Sequence, residues 1–190
     1  MKIVLASSSP RRLKLLSEAG FEFVVKPPDI DETRLAMESP EEYVCRLAQA
    51  KAKAINGDDS LVIAADTVVV LGDEFLNKPG SKPEAKFILG KLSGKLHTVY
   101  TGLSVLCGQC GRGQVEYDKT DVQFNVLTED AILRYIDTGE PMDKAGAYGI
   151  QGMGSFLVKS IDGELDTVIG LPRKLLRKLL EEHKECLNKA

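Results

Sequence analysis

The sequence predicts an α/β fold, and three observations carry that expectation. Strand-like and helix-like segments alternate along the chain, two of the helices open on capping boxes, and residues 61–71 form a long β-branched run. With 190 residues the chain is long enough for one well-packed domain, read here as residues 1–190 folded as two lobes around a cleft.

Residues 2–6 read as a strand and residues 10–19 as a helix, with Pro10 at its first position and Gly20 closing it. Residues 21–25 are a second strand. Ser39-Pro40-Glu41-Glu42 is a capping box, and the helix it opens carries Tyr43, Leu47, Ala50 and Ala54 at helical spacing before ending near Gly57. The strand at residues 61–71 turns at Gly72-Asp73 into residues 74–76. Ser81-Lys82-Pro83-Glu84 repeats the capping-box logic ahead of a helix with Ala85, Ile88, Leu89 and Leu92, ended by Gly94.

Residues 96–107 and 114–126 make a long hairpin. Thr128 caps a helix through about Asp137, stopped by Gly139 and Pro141. After a glycine-rich stretch, residues 146–154, two short strands are expected at residues 156–161 and 166–169 around a turn at Asp162-Gly163. A last amphipathic helix begins near Pro172, with Leu175, Leu176, Leu179 and Leu180 on one face.

Composition narrows the partners. The formal charge of −3 gives no electrostatic footprint for nucleic acid or an anionic membrane, so a polyanionic ligand would be small and met by a local basic cluster. No apolar run approaches the roughly 18 residues of a membrane span. Residues 1–7 hold too short an apolar stretch for a signal peptide and read as the first strand of a cytoplasmic protein. Cys107-Gly108-Gln109-Cys110 has thioredoxin-like spacing, but it runs into Gly111-Arg112-Gly113 between two strand-like segments rather than opening a helix. It reads as a hairpin tip, since a zinc site would need further ligands and the chain has only two histidines.

The first helix begins with chemistry a bare scaffold would not favour. Ser9 suits the N-cap, so Arg11 and Arg12 fall in the first turn, where each cation opposes the helix dipole at a cost of roughly 0.3–1 kcal/mol. An anion reverses that balance, because amides, the Ser7 and Ser9 hydroxyls and two guanidiniums would converge on phosphate oxygens. Two exposed arginines paired with surface carboxylates are the plainer reading. Asp66 stands inside an apolar strand, where burial raises a carboxyl pKa and suits it to general-base work, or where it simply bonds backbone at a strand end.

Asp31 and Glu32 offer oxygen ligands to Mg²⁺, or are a solvated acidic turn. Lys51, Lys53 and Lys78 could neutralise phosphate, though most lysines are simply solvated. The loop around Lys144, Tyr148 and Gln151 suits closure on a base, with Tyr148 stacking and Gln151 reading the base edge. No P-loop and no Gly-x-Gly-x-x-Gly fingerprint is present, and neither His97 nor His183 sits in a nucleophile motif.

Six segments in order resemble the Maf family of nucleoside triphosphate pyrophosphatases. They are Ser7-Ser8-Ser9-Pro10-Arg11-Arg12, Asp31-Glu32, Ala65-Asp66-Thr67, Lys78-Pro79, the run from Lys144 through Gly146, Tyr148 and Gln151 to Gly152, and Gly170-Leu171-Pro172. Each is weak alone, but six in order across roughly residues 2–180 are specific. The resemblance implies an elongated mixed α/β fold with a central twisted sheet and a cleft between lobes, like that of inosine triphosphatases, and commonly a homodimer. It also implies hydrolysis of a nucleoside triphosphate to monophosphate and pyrophosphate with a divalent cation, Mg²⁺, Mn²⁺ or Co²⁺.

On this resemblance Asp66 matches the general base. Ser7, Arg12, Glu32, Lys51 and Lys78 match phosphate- and metal-site positions, with Ser9 beside them and Glu32 and Asp66 as the metal ligands. Arg11, Thr67 and Gln151 stand where subgroups differ, and that set resembles the branch acting on dTTP and UTP rather than the branch acting on 7-methyl-GTP. Ala64 departs from a frequent glycine. Two alternatives are an inosine-triphosphatase-type enzyme, whose Thr-x-Asn-x-x-Lys signature is absent, and a nucleotide-sensing regulator of septum formation.

Overall fold

A computed structural model of the chain describes residues 1–55, 57 and 59–187. Its elements run β1 (Lys2–Leu5), α1 (Pro10–Glu18), β2 (Phe23–Val25), α2 (Pro40–Ile55), β3 (Ser60–Leu71), β4 (Glu74–Leu76), α3 (Lys82–Leu92) and β5 (Leu96–Cys107). There follow β6 (Gly113–Phe124), α4 (Glu129–Asp137), three 3-10 turns, β7 (Val158–Asp162), α5 (Leu165–Ile169), α6 (Arg173–Glu182) and α7 (Lys184–Leu187). No helix among the described residues is long and apolar enough to cross a membrane.

The caps form as residue chemistry dictates. At α2 the box is reciprocal: the Glu42 amide donates to Ser39 Oγ (3.2 Å) and the Ser39 amide to the Glu42 carboxylate (2.9 Å). At α3 the Glu84 amide donates to Ser81 Oγ, but the Glu84 carboxylate reaches past Ser81 to the Gly80 amide at 2.8 Å. Thr128 caps α4 through the Ala131 amide.

The strands form a mixed sheet in the order β2-β1-β3-β5-β6-β7, with β4 also on β3. β1 is parallel to β2 and to β3, so the chain must cross over twice, and α1 and α2 are those crossovers. β4 is antiparallel to β3 and β7 to β6.

The chain divides into two compact units, with β3, β5 and β6 contributing residues to both. The first unit takes residues 1–66, 101–118 and the described residues from 170 on. Small side chains build part of its core, among them Val4, Ala6, Ala52, Val62 and Ala64. Gly102 in β5 is why α2 can lie so close: a Cβ there would stand 2.3 Å from the Val44 carbonyl oxygen. The second unit, residues 67–100 and 119–169, has a core with larger rings, Phe124, Tyr135 and Tyr148, packed with Leu89 and Leu92 of α3.

One expected element is corrected. The sequence predicts a strand at residues 166–169, where the chain instead makes the short helix α5. Thr120 accounts for this, because its hydroxyl accepts from the Glu164 amide and donates to the Glu164 carbonyl, each at 2.9 Å. With both backbone groups of Glu164 engaged, the Thr167 amide turns back onto the Glu164 carbonyl (3.2 Å) and a helical turn begins. The β-branched preference of Thr167, Val168 and Ile169 is overridden by this anchor.

Candidate active site

The buried stripe of α2 runs Val44, Leu47, Ala48, Lys51 and Ala52. Helical spacing therefore carries one lysine inward with the apolar residues, and the strand β3 carries Asp66 to meet it. Lys51 Nζ lies 2.6 Å from Asp66 Oδ1 and 2.7 Å from Glu32 Oε1. Lys51 and Asp66 are both buried, whereas the Glu32 side chain is half exposed. Burial pushes the Asp66 carboxyl above the usual carboxylate range, against the downward pull of Lys51 and Arg12, with Glu32 adding a smaller upward push.

Arg12 comes from the first turn of α1. Its Nε donates to the Gly170 carbonyl (2.8 Å), and its Nη1 stands 3.5 Å from Ser7 Oγ. Gly170 is at φ 110°, a conformation side chains rarely adopt, so the glycine of Gly170-Leu171-Pro172 is needed to aim that carbonyl. Burial lowers the Arg12 pKa, opposed by the charge of Asp66, while Arg11 adds to the lowering and Glu32 opposes it. Ser7 is buried and its Oγ accepts from the Ser9 amide at 3.1 Å. Ser9 occupies the N-cap in extended conformation, but its side chain makes no capping bond, and no acidic residue lies in the first turn of α1. Glu18, at the unfavourable end of that helix, is answered by Lys14 and Arg173, each at 3.8 Å.

Glu32 is held by contacts that residue patterns did not reveal. The Tyr43 hydroxyl donates to the Glu32 carbonyl (3.1 Å), and burial, with Asp66 and Glu32 adding to it, pushes the phenol up to about 12. Asp31 Oδ1 accepts the Thr33 amide at 2.8 Å, so Asp31 shapes the turn while Glu32 faces Lys51. Glu38 is buried and takes Arg46 in a fork, Nε to Oε1 at 2.5 Å and Nη2 to Oε2 at 2.8 Å. Arg46 also donates to the Thr33 carbonyl (3.1 Å), tying the segment that carries Glu32 to α2.

In the first unit, then, Lys51 joins Asp66 to Glu32, Arg12 is in electrostatic reach of both carboxylates, and Arg12 and Ser9 both bond Ser7. Arg11 is half-buried on α1, and Lys53 points to solvent. The remaining residues read from the sequence belong to the second unit. There Thr67 is half-buried on β3, while Lys78 and Gln151 are exposed. Lys144 Nζ donates to the Glu140 carbonyl (2.5 Å) and pairs with Asp143 (2.6 Å).

Tyr148 departs from the expected stacking platform. The residue is 5% exposed, its ring set edge-on to His97 and Phe124, with its hydroxyl 2.8 Å from His97 Nε2. Burial raises its pKa and lowers that of His97 to about 4. A ring enclosed in that way has no open face for a base, so Tyr148 anchors the loop from within the core.

The donor set fits a hard divalent cation. Glu32 and Asp66 present carboxylate oxygens that already converge on one positive charge, and Mg²⁺-like ions take one or two carboxylates together with substrate phosphates.

The sequence profile of the Maf family (Maf-like protein) matches residues 2–183. A protein of Desulforamulus reducens named dTTP/UTP pyrophosphatase is 48% identical over 172 residues, covering 90% of each chain. One of Caldicellulosiruptor bescii with the same name is 45% identical over 187 residues, covering 95% of this chain and 94% of its own. Among solved structures, a HAM1 protein from Coxiella burnetii matches with a TM-score of 0.51 at 16% identity, covering 96% of this chain and 99% of that one, which shows a shared fold.

Proposed function

Since the chain belongs to the Maf family, we propose that it hydrolyses nucleoside triphosphates, dTTP and UTP foremost, to the monophosphate and pyrophosphate. The name shared by its relatives supports the substrate, and the observation that carries the chemistry is a buried, upshifted Asp66 beside Lys51 and Arg12. A base of raised pKa is matched to taking a proton from water near neutral pH.

In this mechanism Asp66 deprotonates the water that attacks the α-phosphorus, and the pyrophosphate departs. Arg12, Lys51, Ser7 and Ser9 hold the phosphates, and Lys78 is assigned to them by its motif. When the triphosphate arrives, Lys51 turns from the carboxylates to the phosphate oxygens, which leaves Asp66 able to accept the proton. Glu32 and Asp66 would hold a divalent cation (Mg²⁺, Mn²⁺ or Co²⁺), which when bound offsets charge on the phosphate oxygens. Arg11, Thr67 and Gln151 are assigned to selecting the base by the same resemblance, with Lys144 and Tyr148 supporting the loop. A cytoplasmic homodimer built as one domain over residues 1–190 belongs to the same proposal, the homodimer resting on the motif resemblance and the single domain on the chain's length.

Purified protein incubated with Mg²⁺ or Mn²⁺ and a nucleotide panel tests this reading. Pyrophosphate release from dTTP and UTP is expected, and a preference for ITP or XTP overturns it. Asp66→Asn should lose about 10²- to 10⁴-fold in turnover with an unchanged circular dichroism spectrum. Near-normal turnover would remove Asp66 as the base.

A further inference from the structure

The hairpin tip between β5 and β6 holds a feature that the pyrophosphatase chemistry does not use. Cys107 ends β5 and Cys110 follows three residues later in the turn, while Cys186 arrives from α7 at the other end of the sequence. All three belong to the first unit. Their Sγ atoms lie within 4.8 Å of one another, and those of Cys110 and Cys186 are 3.6 Å apart. Cys107 and Cys186 are buried, and Cys110 is exposed. All are free thiols, and 3.6 Å is far outside the roughly 2.05 Å of a disulfide.

From this arrangement we infer that Cys107, Cys110 and Cys186 form a zinc site of three thiolates, with a fourth position open to water on the side of Cys110. The spacing suits it. Three sulfurs on a tetrahedral ion at about 2.3 Å stand about 3.8 Å apart, so these thiols need to close by an ångström at most. The tip is built as a tight turn that presents two ligands together: the Gly111 amide donates to the Cys107 carbonyl and the Cys107 amide to the Arg112 carbonyl, each at 2.9 Å, with Gly111 at φ 71° directly after the second cysteine.

The tip is also fixed to the sheet, since the Gly108 amide donates to the Ser60 carbonyl at 2.8 Å. Binding converts three thiols into thiolates and releases three protons for each ion, with no change of oxidation state. Thiolate donors select zinc over Mg²⁺, so this site and the carboxylates of Glu32 and Asp66 attract different metals. The ion would clamp the C-terminal segment onto the hairpin, a structural role rather than a catalytic one.

Cobalt distinguishes the two sites, because only sulfur ligands give an intense charge-transfer band in the near ultraviolet. Co²⁺ added to the reduced, metal-free full chain should produce that band at one equivalent, and one equivalent of Zn²⁺ should abolish it. Cys110→Ser and Cys186→Ser should each lose the band while keeping the circular dichroism spectrum. Cys45→Ser and Asp66→Asn should retain it, so the result does not depend on the assignment of the hydrolytic site. No band in the wild-type protein, or a band that survives both Cys110→Ser and Cys186→Ser, overturns the inference. Alkylation and peptide mapping supply a further check, since coordinated thiolates resist oxidation. A Cys110–Cys186 disulfide that forms as readily with stoichiometric Zn²⁺ as without it would likewise overturn it.

Discussion

Replacing Lys51 by methionine takes away one charge and leaves most of the side chain's packing in place. In the native protein the Lys51 and Asp66 side chains are 9% and 8% exposed and 2.6 Å apart, which puts their pair in the buried regime. Removing one partner of such a pair costs about 3–5 kcal/mol, because the remaining charge stays buried and uncompensated. The second contact, to a Glu32 side chain that is 49% exposed, is worth under about 1 kcal/mol. Arg12 still faces Asp66 electrostatically, so the low end applies: about 3 kcal/mol, or roughly two powers of ten in the unfolding equilibrium at pH 7.

The same substitution fixes a pH signature. Without Lys51 the folded-state pKa of Asp66, already raised by burial, rises further. The folded variant then binds more protons than the folded wild type across the window between the two pKa values. Its relative stability is therefore lost as pH rises through that window, by up to about 1.4 kcal/mol per pH unit, and recovered as pH falls below it. Urea unfolding followed by circular dichroism at pH 7 and near pH 4.5, about the ordinary carboxylate range, measures this difference. A Lys51→Met penalty of equal size at both pH values would refute the reasoning and assign the loss to packing.

Two further outcomes follow from the same geometry. Glu38→Gln, which weakens the buried fork to Arg46, should lower stability by about 2 kcal/mol in urea unfolding. The hydrogen bond from Arg46 holds the folded-state pKa of Glu38 down, so wild-type stability should fall as pH drops through the carboxylate range, and this variant should show less of that fall. Tyr148→Phe should lose about 1 kcal/mol in thermal unfolding by removing the partner of His97 Nε2, with the ratio of dTTP to UTP turnover unchanged. A shifted ratio would return Tyr148 to base recognition.

Local rules recovered most elements because the signals that set them are local. Ser39 with Glu42, Ser81 with Glu84 and Thr128 with Ala131 each act within four residues, and each starts a helix where the pattern puts it. The miss at α5 has the opposite character. Thr120 and Glu164 are 44 positions apart, and nothing in the sequence near residue 166 announces their bond. Cys186 meets Cys110 across 76 positions, a contact that no local pattern announces, so Cys107-Gly108-Gln109-Cys110 by itself reads only as the hairpin tip that it is. Lys51 was legible in principle: Leu47 and Lys51 are four apart on an apolar stripe, and a lysine on that stripe must find a buried counter-charge.

By dipole alone, two cations in the first turn of α1 call for an anion beside them. The structure answers Arg12 from elsewhere, with the Gly170 carbonyl at 2.8 Å and the charges of Asp66 and Glu32 within reach. Arg12 and Lys51 therefore cancel Asp66 and Glu32, and the set is close to neutral as it stands. A triphosphate brings several negative charges into that balance, and every cation that turns to meet them abandons a carboxylate. On the proposed reading Lys51 cannot serve the phosphates and Asp66 together, so the deficit must be met by positive charge from outside the four residues. On the same reading a divalent ion at Glu32 and Asp66 would supply part of that charge and Lys78 another part, so the resting ion pairs give a reason for a cation that the acidic residues alone do not.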